Sequence, residues 1–150
     1  MKVYIDADGC PVVRETEKIC KKYNLPLIIF CDSSHIISSN YADIITVGTG
    51  ADAVDFALVN KCQQNDIVIT QDYGLAAMVL SKGCKCINQN GLIYTDDNIS
   101  GLLNSRYIAQ KIRNSSSKHH IKGPSKRTST DTQKFIKAFE EIINIILNTV

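Results

Sequence analysis

Four short apolar runs, each too brief for a helix and three of them followed by a segment of helical periodicity, constrain this chain more than any other feature. They are Val3-Tyr4-Ile5, Leu27-Ile28-Ile29-Phe30-Cys31, Ile44-Ile45-Thr46-Val47 and Asp66-Ile67-Val68-Ile69-Thr70. Continuous apolar runs of this length suit strands buried on both faces. Between them, Pro11 opens an amphipathic segment through Val12, Val13, Glu17, Ile19, Cys20 and Tyr23 that stops before Asn24 and Pro26. Thr49-Gly50 opens a second, through Ala53, Val54, Ala57 and Leu58, and Leu75 to Leu80 forms a third, closed by Gly83. Cys84 to Ile87 then suits a last short strand. Strands alternating with helices at this spacing predict βαβ units, a mostly parallel sheet and an α/β fold class. Right-handed crossovers would bring the carboxyl ends of the strands to one edge, where such sheets bind ligands.

The C-terminal third reads differently. A helix is expected over 99–113, then a basic polar loop over about 114–130, then a helix over about 131–148 with Thr130 and Gln133 as a capping box. In that last helix Phe135, Phe139, Ile142, Ile143 and Ile146 make one apolar stripe. The stripe must bury against the sheet or against a partner chain, as in a homodimer. With 150 residues the whole of 1–150 is expected to be one domain. The start lacks the apolar core of a signal peptide and no apolar run approaches a membrane span, so the expected location is cytoplasmic, with no membrane partner.

Two features bear on chemistry. The six cysteines, at 10, 20, 31, 62, 84 and 86, include no C-x-x-C pair, and His35 and His119-His120 are remote from them in sequence. Reduced thiols acting as small buried hydrophobes are therefore expected rather than a zinc site. Charge is uneven: between Arg106 and Lys137 there are nine Lys/Arg against the single acid Asp131, which leaves the remainder at a net −6. An acidic body with a basic C-terminal third suits a polyanionic ligand held near an acidic site, although solvated Lys-rich loops are common.

The acids gather at predicted strand ends. Asp6 and Asp8 close the first strand and, two apart in an extended chain, face the same way. Asp72 follows the fourth strand at the same sheet edge, and Asp52 and Asp55 share a face of the second helix. Crowded carboxylates raise one another's pKa unless a cation neutralises them. Hard oxygen donors of this kind suit Mg²⁺ or Mn²⁺, the cofactor of phosphodiester cleavage in one- and two-metal sites. Plainer roles exist for each: Asp72 as a helix N-cap, Asp52 and Asp55 as acids at a helix N-terminus, Asp8 in an Asp8-Gly9 turn. Asp6 is hardest to assign a plain role, because a carboxylate ending a buried strand needs a partner.

These residues also carry a family resemblance. Asp6-Ala7-Asp8-Gly9-Cys10-Pro11-Val12 resembles the D-A-D-A-C-P-V opening of the bacterial YaiI/YqxD family, with Gly9 where that family more often has Ala. Gly50 to Asp55 is similar to its G-x-D-x-A-D segment, and Asp66 to Ala77 to its D-L-V-I-T-x-D-x-x-L-A-A block. Asn90-Gly91 with Tyr94-Thr95, and Gly123-Pro124 with Thr128, Asp131 and Phe135, resemble its later motifs. That pattern is in turn similar to PIN-like nucleases, which implies a three-layer α/β fold and a Mg²⁺- or Mn²⁺-dependent ribonuclease. Carried over, Asp6 and Asp72 bind metal, with Asp8, Asp52 and Asp55 as further ligands, and Asp6, Asp8 and Asp72 are the catalytic set. Lys118, Lys122, Lys126 and Arg127, with Thr70, are then the expected nucleic-acid contacts, the basic ones engaging phosphates.

Two other readings start from the same residues. The strand and Asp-x-Asp-Gly also resemble haloacid-dehalogenase-type phosphatases, with Asp6 as nucleophile, Asp8 as general acid/base, and Ser33 and Lys82 in the remaining roles. Pro11, which leads straight into a helix, and the lack of a second acid four residues after Asp72 count against it. The third is a non-catalytic nucleic-acid-binding or regulatory module. No stacking platform of aromatics stands out in the sequence to support a pure single-strand binder.

Overall fold

The structure, a computed structural model, describes residues 1–50, 52–115 and 125–149. The first apolar run forms β1 (Val3–Asp6), followed by α1 (Val13–Tyr23), β2 (Leu27–Asp32), β3 (Asp43–Val47) and α2 (Ala53–Lys61). There follow β4 (Ile67–Ile69), α3 (Tyr73–Ser81), β5 (Lys85–Ile87), β6 (Ile93–Tyr94), α4 (Asp96–Ser115) and α5 (Ser129–Thr149). The strands form one sheet in the order β3-β2-β1-β4-β5-β6, parallel except for β6, which runs antiparallel to β5.

Alternation along the central strands divides the core into two layers. Val3, Ile5, Ile29, Ile67 and Ile69 face α1 and α5, while Tyr4, Ile28, Phe30 and Val68 face α2, α3 and α4. The expected stripe on α5 is buried at all five positions, against the sheet and α1, so it is satisfied within the chain. α1 ends where expected, at Asn24 in the left-handed conformation, whose N–H bonds Cys20 and Lys21 carbonyls. At the β5–β6 turn Gly91 has φ +87, and a Cβ there would lie 2.6 Å from the Lys134 carbonyl oxygen. Only glycine lets α5 lie this close to the turn.

Several expectations need correcting. β3 is not buried on both faces: it pairs only with β2 at the sheet edge, and its residues are half-buried or exposed. α2 begins at Ala53 rather than near Gly50, because Asp52 takes the left-handed conformation (φ 63) just before it. The cap of α5 is not Thr130 with Gln133. Thr128 N–H donates to Asp131 Oδ2 (2.9 Å), moving the start to Ser129. Of the expected basic loop, residues 116–124 lie outside the described residues. Five of the six cysteines are buried and Cys10 half-buried; burial pushes the Cys20 and Cys84 thiols up to about 12 and Cys10 to about 11. No helix among the described residues is long and apolar enough to cross a membrane.

Candidate active site

The strand order fixes where a ligand belongs. From β1 the chain moves outward on one side through β2 and β3, then crosses back to β4 on the other side and continues to β5. Loops leaving β1 and β4 therefore diverge at the carboxyl edge and leave a crevice between them. A cleft of about 580 Å³ opens there, and Asp6, Asp8, Asp32, Asp52, Asp55, Asp72 and Arg106 are among its lining residues.

At its floor, Thr70 joins two of the acids. Its hydroxyl donates to Asp6 Oδ2 (3.0 Å) and accepts from the Asp72 backbone N–H (3.0 Å). Asp72 Oδ1 in turn accepts from Leu75 N–H (3.1 Å), so it does N-cap α3 while also lining the cleft. Gln71 Nε2 donates to the Gly9 carbonyl (2.9 Å), tying together the two loops that flank the crevice. From α2, Asp55 enters in the first turn, and Asp52 precedes it without capping the helix through its side chain.

The electrostatics follow from this crowding. Burial pushes the Asp6 carboxyl up to about 6; the Thr70 hydrogen bond opposes the rise, and the Asp8 and Asp72 charges add to it. Burial likewise pushes Asp55 up to about 6, reinforced by Asp72, Asp6 and Asp52 and opposed by Arg106. Arg106 Nη1 lies 3.7 Å from Asp72 Oδ1 and is the one Lys or Arg among the described residues lining the cleft.

Asp8 lines the same cleft as Asp6 and its charge bears on the Asp6 carboxyl, but the two-residue alternation expected to bring it there does not hold. The strand ends at Asp6, and Asp8 lies in a turn with Gly9 at φ +71, so extended-chain alternation no longer applies. Asp8 Oδ1 instead accepts from Asp32 N–H (3.3 Å) and pairs with His35 Nδ1 (3.2 Å). Asp32 Oδ1 is also 2.9 Å from His35 Nδ1 and accepts from Ser34 N–H (2.8 Å) and its hydroxyl. Those Ser34 and His35 hydrogen bonds hold the Asp32 carboxyl down at about 2, and the Asp32 bond raises the His35 pKa. One donor atom each from Asp8, Asp32 and His35 fall within 4.8 Å of one another.

Asp32 and Arg106 are thus cleft-lining residues that sequence reasoning missed, and His35 is a third, held against the lining acids Asp8 and Asp32. Asp32 was findable, because it closes an apolar strand just as Asp6 does; nothing local marks the other two.

The expected nucleic-acid contacts fare less well. Lys118 and Lys122 lie outside the described residues. Lys126 is exposed but does not line the cleft. The Arg127 guanidinium is engaged by Asn90 Oδ1, the Gln89 carbonyl (2.8 Å) and Thr132 Oγ1 (3.1 Å), where it pins the β5–β6 turn to α5. Thr70 is 1% exposed with its hydroxyl held between two aspartates, so it orders the acids rather than meeting a ligand. For the phosphatase reading, Lys82 caps the far end of α3, at the opposite sheet edge, with its ammonium on the Val59 carbonyl. Ser33 is exposed and outside the cleft lining.

Comparison with known proteins then decides the family. Residues 4–145 match the family model described as "Uncharacterized BCR, YaiI/YqxD family". The chain belongs to the YaiI/YqxD family. A UPF0178 protein of Clostridium acetobutylicum is 52% identical over 143 residues, covering 95% of this chain and 97% of its own. UPF0178 proteins of Exiguobacterium sibiricum (44%, covering 95% of this chain and 96% of its own) and Lachnoclostridium phytofermentans (44%, 97% and 99%) are also similar. No solved structure matches.

For this YaiI/YqxD protein the Thr70 bridge makes a prediction. Thr70→Val keeps the shape but removes the donor to Asp6 and leaves the Asp72 N–H without its partner. We expect a loss of roughly 1–3 kcal/mol by urea denaturation and a further rise in the Asp6 pKa, read by carboxyl NMR titration. An unshifted titration would show that the bridge does not hold Asp6.

Proposed function

We propose that this chain is a PIN-like, Mg²⁺- or Mn²⁺-dependent nuclease that cleaves RNA phosphodiesters in the cytoplasm. The observation that carries the reading is the Asp6–Thr70–Asp72 bridge at the switch point of the sheet, with Asp55 from the first turn of α2 and Asp52 just before it lining the same cleft. The donor set fits the ion. Among the described residues lining the cleft, the acids offer carboxylate oxygens, which hard divalent ions prefer, and no lining residue is a cysteine or histidine; the one trio whose ligand atoms already lie within 4.8 Å of one another, Asp8, Asp32 and His35, sits beside them. Asp6, Asp72 and Asp55 would hold the ion, with Asp52 beside them. The chemistry such an ion supplies when bound is activation of water and stabilisation of the leaving oxygen.

The protein's own groups support that chemistry. α3 fixes Asp72 through its N-cap bond, and Thr70 fixes Asp6 relative to Asp72, so neither carboxylate has to be ordered at the moment of reaction. Arg106, paired with Asp72 at the cleft wall, offers the planar fork that recognises a phosphate. Asp8 contributes indirectly, by orienting His35 and the end of β2.

The test is cleavage of single-stranded RNA, structured RNA and a phosphate monoester, with Mn²⁺ or with EDTA. RNA cleavage that needs Mn²⁺ and falls at least about 10²-fold in Asp72→Asn is the expected result. Cleavage that survives both Asp6→Asn and Asp72→Asn would expose a contaminant and end the assignment. Turnover of the monoester alone would favour the phosphatase, and metal binding without turnover the non-catalytic module.

A further inference from the structure

α4 starts at the amino edge of the sheet, directly after β6, and runs back towards the carboxyl edge beside α3. Its first half is tied into the core by Ile99, Leu102 and Leu103. By Arg106 it has reached the cleft, where the guanidinium meets Asp72. The helix does not stop there. Residues 107–115 continue for about 13 Å at 1.5 Å per residue, and from 104 to 114 every residue but Ala109 is exposed. Stability alone does not call for such an extension.

Its composition changes where it leaves the body. Asp96 and Asp97 lie in the first turn, but no acid follows in α4, whereas Arg106, Lys111 and Arg113 do. Helical spacing places Gln110 and Arg113 in line with Arg106, on the side that carries Ile99, Leu102 and Leu103 further back. That side turns from apolar to cationic as it passes the cleft. Beside it Tyr107 is 55% exposed, with the Lys111 ammonium 5.0 Å from its ring centroid.

We infer that this outer half of α4 is a rail for single-stranded RNA, with Arg106 and Arg113 in line along the side that reaches the cleft taking phosphates, and Tyr107 stacking a base on the flank where Lys111 takes the phosphate beside it. The inference rests on the nuclease reading and deepens it by naming the surface that delivers the strand to the cleft. Cations on two sides of an exposed aromatic are what sequence-tolerant single-strand binding uses. A helix-dipole role explains only Arg113, which alone lies in the last turn. The charge also favours a polyanion over a protein partner, for which Ile108, 49% exposed, and Ile112, 37% exposed one turn on, are the apolar attraction.

Binding of a fluorescein-labelled oligouridine of about 12 nucleotides, followed by anisotropy in EDTA so that no cleavage runs, tests this. Lys111→Glu/Arg113→Glu should weaken binding at least tenfold and flatten the salt dependence by about 1.4 in log–log slope, for two phosphate contacts. Tyr107→Ala should weaken it about fivefold or more. Arg14→Glu/Lys18→Glu makes the same charge change on α1, in the opposite layer, and should cost less than twofold. All these positions are exposed, and circular dichroism checks that each variant is folded. An equal loss in the α1 control, no loss in the α4 variant, or no binding by the parent overturns the rail. So does self-association of the parent that Ile108→Glu abolishes. Binding through α4 without Mn²⁺-dependent cleavage leaves the rail standing while the nuclease reading fails; cleavage with intact affinity in Lys111→Glu/Arg113→Glu does the reverse.

Discussion

Asp6→Asn is expected to be more stable than the parent at pH 7.5 in metal-free buffer, by on the order of 2 kcal/mol. The reason is the raised carboxyl: about 6 in the folded chain against an ordinary 3.8. A carboxyl whose folded pKa is raised favours folding fully below its unfolded pKa, and that contribution is lost as pH rises through the folded value. Both Asp6 and Asp55 have this sign, so the parent in EDTA should lose stability between about pH 4 and pH 6–7. Asn at position 6 can still accept the Thr70 hydroxyl bond without the buried charge. Urea midpoints across pH 4–8 for parent and variant measure the difference directly. Mn²⁺ should then stabilise the parent and leave Asp6→Asn unmoved, because a ligand raises stability only in proportion to its occupancy of the folded state. Parallel pH curves for the two proteins would refute the burial argument, whatever the activity assays show.

Phe139→Ala should cost about 3–5 kcal/mol, a large part of the 5–15 kcal/mol that holds a typical domain together. Phe139 is wholly buried, its ring 5.5 Å from that of Phe135, and the pair occupies the layer shared by α5, α1 and the sheet. Little can collapse into the void, because the wall opposite is the backbone-pinned sheet. The urea midpoint, with the slope checked for unchanged cooperativity, reports the loss. A cost below about 1 kcal/mol would mean that α5 is not packed as described.

The legible part of this molecule was the part written in local patterns. Apolar runs gave the central strands, and the stripe from Phe135 to Ile146 gave α5 and its buried face. Asp6 and Asp72 were visible because a carboxylate at the end of an apolar strand is locally anomalous. β6 was not visible: two residues, Ile93 and Tyr94, form a strand only because β5 offers its edge. Asp8 reaches the cleft for a reason alternation does not supply, since β1 ends at Asp6 and a turn carries Asp8 towards Asp32 and His35.

Cations were the least legible. Counting charge drew attention to Lys126 and Arg127, yet Arg127 fastens a turn, while Arg106 reaches the cleft. The difference lies in the length and direction of α4, which no local pattern states. His35 has the same character: Asp32 is three residues before it, but its other partner, Asp8, comes from the turn after β1, which only the sheet brings alongside.

The pairing of α5 with the first-made strands also bears on how the molecule is born. All six strands are synthesised before α5, which shares with α1 the covering of one face of the sheet. Roughly 50 residues separate the last strand from the middle of α5, about 3–10 s of translation at 5–20 residues per second. For that interval Val3, Ile5, Ile29, Ile67 and Ile69 have only α1 to shelter them. A nascent chain in this state presents a half-covered, mostly parallel sheet to solvent, and such exposed apolar surface favours association with its neighbours until α5 docks.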